Sequence, residues 1–181
     1  MISKKKINQL EKIISYSFKN KKLLESALIH PSYITENKKQ NTQEFNDFER
    51  LEFLGDRVLG LIISKKLIET YPEEKEGIID KKFANLVNKK TCSKVSQKIN
   101  LRKFMYLGMS HKSLQGQTDK IVSDCLEALI GGIYLDGGLN CAERFIFNFW
   151  GDYIKNSTIP LIDAKTQLQE HSLKMFKVLP K

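Results

Sequence analysis

An all-α fold follows from three features of the 181-residue sequence. Apolar residues recur at helical spacing along most of the chain. The short β-branched alternation of strands is almost absent, and the periodic segments end at helix-stopping residues. Ile7, Leu10, Ile13 and Ile14, then Leu23, Leu24, Ala27 and Leu28, set i, i+3, i+4 stripes for two helices within 7–33, parted near Lys19-Asn20. Pro31 ends the second, because it pushes His30 out of the helical region. Residues 34–46 are polar and read as a loop. Phe48, Leu51, Leu54, Val58, Leu61, Ile62, Leu67 and Ile68 mark one long helix over 47–71. Asn46 with Glu49 resembles a capping box at its start, and Pro72 marks its stop. Segments 80–92, 92–100 and 119–134 read as helices, Asp136-Gly137-Gly138 as a turn, and 139–155 as another helix.

Composition excludes several classes. With 41% apolar and 28% charged residues the chain can bury a real core, so a disordered tail is ruled out. No apolar run approaches the ~20 residues that cross a bilayer. The basic start MISKKKINQL lacks the apolar stretch of a signal peptide. Cys92, Cys125 and Cys141 are odd in number and widely spaced, which fits a reducing compartment and no zinc site. These features give the expectation of a soluble cytoplasmic protein with no membrane partner.

Charge is unevenly placed. The net charge is +9, and residues 81–120 alone hold ten basic side chains against Asp119. Residues 41–80 reverse the sign, with ten acids and five bases. Such separation predicts a polyanion-binding surface beside a cation site.

Two stretches concentrate the acids. In Glu49-Arg50-Leu51-Glu52-Phe53-Leu54-Gly55-Asp56 the carboxylates fall at i, i+3 and i+7, on one helix face. Stacked like charges repel, and a cation would compensate them. Gly55, beside Asp56, would admit a second backbone at close range. In Asp124-Cys125-Leu126-Glu127-Ala128-Leu129-Ile130-Gly131-Gly132, two further acids stand at i, i+3, and Ala128, Gly131 and Gly132 suit tight helix packing. If the two helices meet, Glu52, Asp56, Asp124 and Glu127 converge. Oxygen donors without His or Cys suit Mg²⁺ or Mn²⁺. His30, His111 and His171 are scattered and form no zinc pattern.

The residues at this point resemble a known family. ERLEFLGDRVLG (49–60) is similar to the signature of the ribonuclease III family, with ALIHPSY (27–33), EGIID (76–80) and DCLEALIGGIYLDGG (124–138) in the family's order. The resemblance implies an all-helical homodimeric nuclease domain that cuts double-stranded RNA with a divalent metal, leaving 5′-phosphate and 3′-hydroxyl ends. It implies Glu52, Asp56, Asp124 and Glu127 as metal ligands, with Asp56 and Glu127 catalytic. Glu49 and Glu76 match further acids of the catalytic valley, and Phe53 the aromatic that plugs into the partner. The substrates implied are structured ribosomal and other RNA precursors. Two segments depart from the family: Asp80, Lys82 and Phe83 replace a Ser/Thr followed by Leu-Arg, and Gly108-Met109-Ser110-His111 replaces Gly-x-Gly-Glu.

The tail adds a second resemblance. After a linker at 156–162, residues 163–181 resemble the opening of a double-stranded-RNA-binding domain, with Thr166, Gln169 and Glu170 matching its first RNA contacts. The nuclease unit is expected over 1–155. A tail of about 20 residues is expected to form one helix at most, since it buries too little apolar surface to fold alone. The rival expectation is a catalytically silent RNA-binding member of the same fold. Its mark would be a missing carboxylate, and all four are present.

Overall fold

The computed structural model describes residues 3–36, 42–109, 118–157 and 164–178. Among these stand nine α-helices: α1 (Lys4–Ile14), α2 (Lys21–Leu28), α3 (Pro31–Glu36), α4 (Thr42–Thr70), α5 (Glu76–Val87), α6 (Lys89–Ile99), α7 (Thr118–Gly137), α8 (Leu139–Lys155) and α9 (Ala164–Phe176). The only β pairing among the described residues is one isolated bridge, Ile29 with Tyr106.

Local chemistry sets the boundaries. Ser3, Asn20 and Asn88 cap α1, α2 and α6 by accepting from the Lys6, Lys22 and Thr91 amides. Ser15 and Asn100 end α1 and α6 in the left-handed conformation. Gly138, at φ 78°, breaks α7 from α8 where a side chain would be strained. The expected turn at 136–138 therefore shrinks to one residue, since α7 runs through Gly137.

Two expectations require correction. The segment 34–46 is not a continuous loop: α3 covers Pro31–Glu36, and α4 begins at Thr42. Pro31 opens α3, where its fixed φ suits a first helical position. Asn46 therefore lies inside α4 and is not its cap. No Gly or Pro interrupts 42–46, and polarity alone does not stop a helix.

The core is built around α4 and α7, which pack more extensively than any other pair. α4 runs 29 residues, roughly 43 Å at 1.5 Å per residue. Leu51, Val58, Leu59, Ile62 and Ile63 of α4 are buried against Cys125, Leu126, Leu129, Ile130 and Ile133 of α7 and their neighbours in one cluster. Trp150 of α8 is fully buried, and its Nε1–H donates to the Leu86 carbonyl at 2.9 Å. Asp136 closes the other side. Its carboxylate accepts from Tyr16 Oη at 2.7 Å and from the Lys19 and Asn20 amides at 2.8 Å each, tying α7 to the α1–α2 turn. No helix among the described residues is long and apolar enough to cross a membrane.

Candidate active site

The acids converge where two backbones touch. A Cβ built on Gly55 would sit 1.7 Å from the Glu127 carbonyl oxygen, and one on Gly131 would sit 2.2 Å from that of Leu51. Only hydrogen fits at either position, so α4 and α7 cross with their backbones in direct contact. Glu52 lies three residues before Gly55 on α4, and Glu127 four residues before Gly131 on α7. The crossing thus sets their carboxylates side by side with that of Asp124. One oxygen of each of Glu52, Asp124 and Glu127 lies within 4.8 Å of the others. Asp124 is buried, and Glu52 and Glu127 are half-buried.

Crowding and burial make these acids hard to ionise. Burial pushes the Glu127 carboxyl up to about 7, with Asp56, Asp124 and Glu52 adding repulsion and a Ser123 hydrogen bond opposing it. Burial also raises Glu52, reinforced by Asp124, and raises Asp124 itself. Two lysines offset the charge. Lys120 Nζ stands 3.9 Å from Asp124 Oδ2, and Lys89, at the start of α6, acts on both Asp124 and Glu52. Among the described residues the converging ligand set is three acidic oxygens, which suits a hard divalent cation.

The other expected residues are placed differently. Asp56 carries a carboxylate held 2.7 Å from Arg57 Nη1, outside the tight trio, yet close enough to raise Glu127. Glu49 is exposed and lines a groove of about 800 Å³ with Arg50, Leu54, Leu23 and Phe53. Phe53 is 65% exposed, with the Arg57 guanidinium 5.3 Å from its ring centre. Glu76 stands exposed in the first turn of α5 and is not among the clustered acids. Gln169 is half-buried on α9, while the side chains of Thr166 and Glu170 lie outside the described residues, as does His111. The ALIHPSY segment is a structural bracket: His30 N–H donates to the Tyr106 carbonyl, and Ser32 Oγ accepts from the Gly108 amide.

The departures at 82 and 83 turn inward. Lys82 is buried, and its ammonium donates to the Ser157 carbonyl at 2.8 Å, 3.7 Å from the centre of the Tyr71 ring. With Tyr71 Oη donating to the Ile154 carbonyl at 2.8 Å, it closes the C-terminal end of α8. Phe83 packs toward Gly60. Lys82 is thereby removed from the basic residues that could meet a polyanion.

Lys89, Lys120, Ser123 and Cys92 belong to the site and were not singled out for it from the sequence. Lys120–Asp124 and Ser123–Glu127 are both i, i+4 pairs, a spacing visible in the sequence. Cys92 reaches the site from α6, and no sequence pattern announces it.

Comparison with known proteins identifies the family and the fold. The Ribonuclease-III-like family pattern matches residues 20–152. The chain is 54% identical to Ribonuclease 3 of Pelagibacter ubique, over 95% of this chain and 73% of that protein. It is 41% identical to Ribonuclease 3 of a Wolbachia species over 94% and 73%. The nuclease domain of ribonuclease III from Campylobacter jejuni, which shows structural flexibility in a region involved in dimer formation, superposes with a TM-score of 0.70 at 35% identity, covering 83% of this chain and 97% of that one. Dicer from Pichia stipitis shares the fold at a TM-score of 0.57 and 18% identity, over 88% and 68%. A family pattern over most of the chain and close relatives matched along nearly its whole length place this protein in the ribonuclease III family.

Proposed function

We propose that the chain is an endoribonuclease that cuts double-stranded RNA by divalent-metal-assisted hydrolysis, leaving 5′-phosphate and 3′-hydroxyl ends. The observation that carries this reading is the trio of Glu52, Asp124 and Glu127, whose oxygens lie within 4.8 Å of one another. These residues would hold the cation, Mg²⁺ with Mn²⁺ able to substitute, and Asp56 would complete the set. The Asp56–Arg57 pair is exposed and holds by about 1 kcal/mol or less, so it does not lock Asp56 away. A bound cation would supply an activated water and charge stabilisation at the leaving 3′ oxygen. Glu52, Asp124 and Glu127 supply negative charge in a half-buried site, where it counts for more than in water. Lys89 and Lys120 present positive charge at the rim, where a phosphate would lie. Glu49 and Glu76 are further acids of the valley.

The chain works as a homodimer in this reading. Phe53 projects beside the groove that Leu23 and Leu54 help to line, and a two-fold axis would seat each Phe53 in the partner's groove. RNA would be read by A-form shape and 2′-hydroxyls, with precursors of ribosomal and messenger RNA as substrates, in the cytoplasm. Residues 1–155 form the nuclease domain and 156–162 the linker. Residues 163–181 form the start of a double-stranded-RNA-binding domain, with Thr166, Gln169 and Glu170 toward RNA. The test is incubation of the protein with a long RNA duplex, with and without Mg²⁺, followed by end-group analysis. Mg²⁺-dependent products with 5′-phosphates are expected. Binding without cleavage would identify a silent RNA-binding member of the fold instead.

A further inference from the structure

The Ser123 hydroxyl is a buried polar group with an unusual partner. Ser123 is fully buried on α7, one residue before Asp124. A serine inside a helix commonly bonds back to a main-chain carbonyl of the preceding turn. Here Oγ instead reaches forward to Glu127 Oε1, 3.1 Å away. Cys92 of α6, itself fully buried, lies against the same hydroxyl. The terminal torsion of a glutamate is broad and two-fold, so nothing in the side chain itself fixes the plane of the carboxylate. A hydroxyl donating to one oxygen selects that plane.

We propose that Ser123 is a positioning residue that aims the Glu127 carboxylate at the cation shared with Glu52 and Asp124. This rests on the metal-site reading above and adds what orients one of its ligands. Partners of this kind commonly change metal affinity by 10- to 100-fold when removed. Ser96 provides an internal comparison. It is also buried, but its Oγ donates to the Val122 carbonyl at 3.0 Å rather than to a carboxylate.

The experiment measures Mn²⁺ binding by calorimetry in the absence of RNA, with thermal unfolding alongside, for wild type, Ser123→Ala, Ser96→Ala and Glu127→Gln. Ser123→Ala is expected to weaken Mn²⁺ binding about tenfold. Ser96→Ala should lower stability but leave Mn²⁺ binding within twofold. Ser123→Cys, nearly isosteric and a weaker donor, serves if the alanine variant does not fold, and its loss should be smaller in size and the same in sign. If Ser123→Ala binds Mn²⁺ like wild type while Glu127→Gln does not, the metal site stands and the positioning role is wrong. Equal losses in Ser123→Ala and Ser96→Ala also overturn it, since both then act through packing. If Glu127→Gln binds Mn²⁺ normally, the metal-site reading falls and this inference falls with it.

Discussion

The Glu127 carboxyl is pushed up to about 7, first by burial, and two expectations follow from it. Replacing it by Gln keeps the shape and removes one ligand charge. Glu127→Gln is expected to retain duplex binding and to keep less than about a tenth of the wild-type cleavage rate at saturating Mg²⁺, a barrier increase above about 1.4 kcal/mol. The second expectation concerns pH. With its carboxyl near 7 against an ordinary value of 4.5, Glu127 holds a proton that a cation must displace. Mn²⁺ affinity should therefore climb as pH rises toward about 7 and then level off, as calorimetry across pH would show. The sign for stability is opposite. The folded, metal-free protein binds this proton more tightly than the unfolded chain, so stability is fullest below 4.5 and declines as pH rises through about 7. Glu127→Gln should lessen that decline, with the share of Glu52 and Asp124 remaining. The carboxylates themselves were legible in the sequence, because i, i+3 spacing puts acids on one helix face. Lys82 was not: its burial depends on a carbonyl 75 positions away, at Ser157.

Periodicity made most helices legible, and it failed where the apolar pattern thinned. Residues 42–46 and 31–36 carry few apolar side chains, so their helical state shows only in the backbone. The crossing of α4 and α7 was foreshadowed by Gly55 and Gly131, since small residues at matching positions permit backbone contact. That crossing gives a test. In Gly131→Ala the new methyl would stand 2.2 Å from the Leu51 carbonyl oxygen, so the helices must separate. A loss of about 3 kcal/mol by urea unfolding is expected, together with weaker Mn²⁺ binding. Gly77→Ala is the control, because nothing lies within 4 Å of that position. Equal effects at the two glycines would show that the close approach does not set the site.

On the scale of the molecule, the basic block read from the sequence loses one member from the surface: Lys82 is buried, whereas Lys98, over the Tyr153 ring at 4.4 Å, and Lys120, beside Asp124, are exposed. Linear charge counts do not distinguish side chains that face solvent from those that satisfy the core. The exposed Phe53 belongs to this scale as well. An aromatic ring 65% exposed next to a groove lined by Leu23 and Leu54 loses apolar contact with water only if a partner covers it. Phe53→Asp is expected to give monomers by sedimentation and to lose duplex cleavage, and an intact dimer would refute the assignment.

One cation is expected among Glu52, Asp124 and Glu127. Anomalous diffraction from crystals soaked in Mn²⁺ tests it directly. A single strong peak at about 2.1–2.2 Å from oxygens of all three residues is the expected result, at the short bond lengths of a small hard cation. A peak held by other side chains, or none at a concentration that supports cleavage, would contradict it.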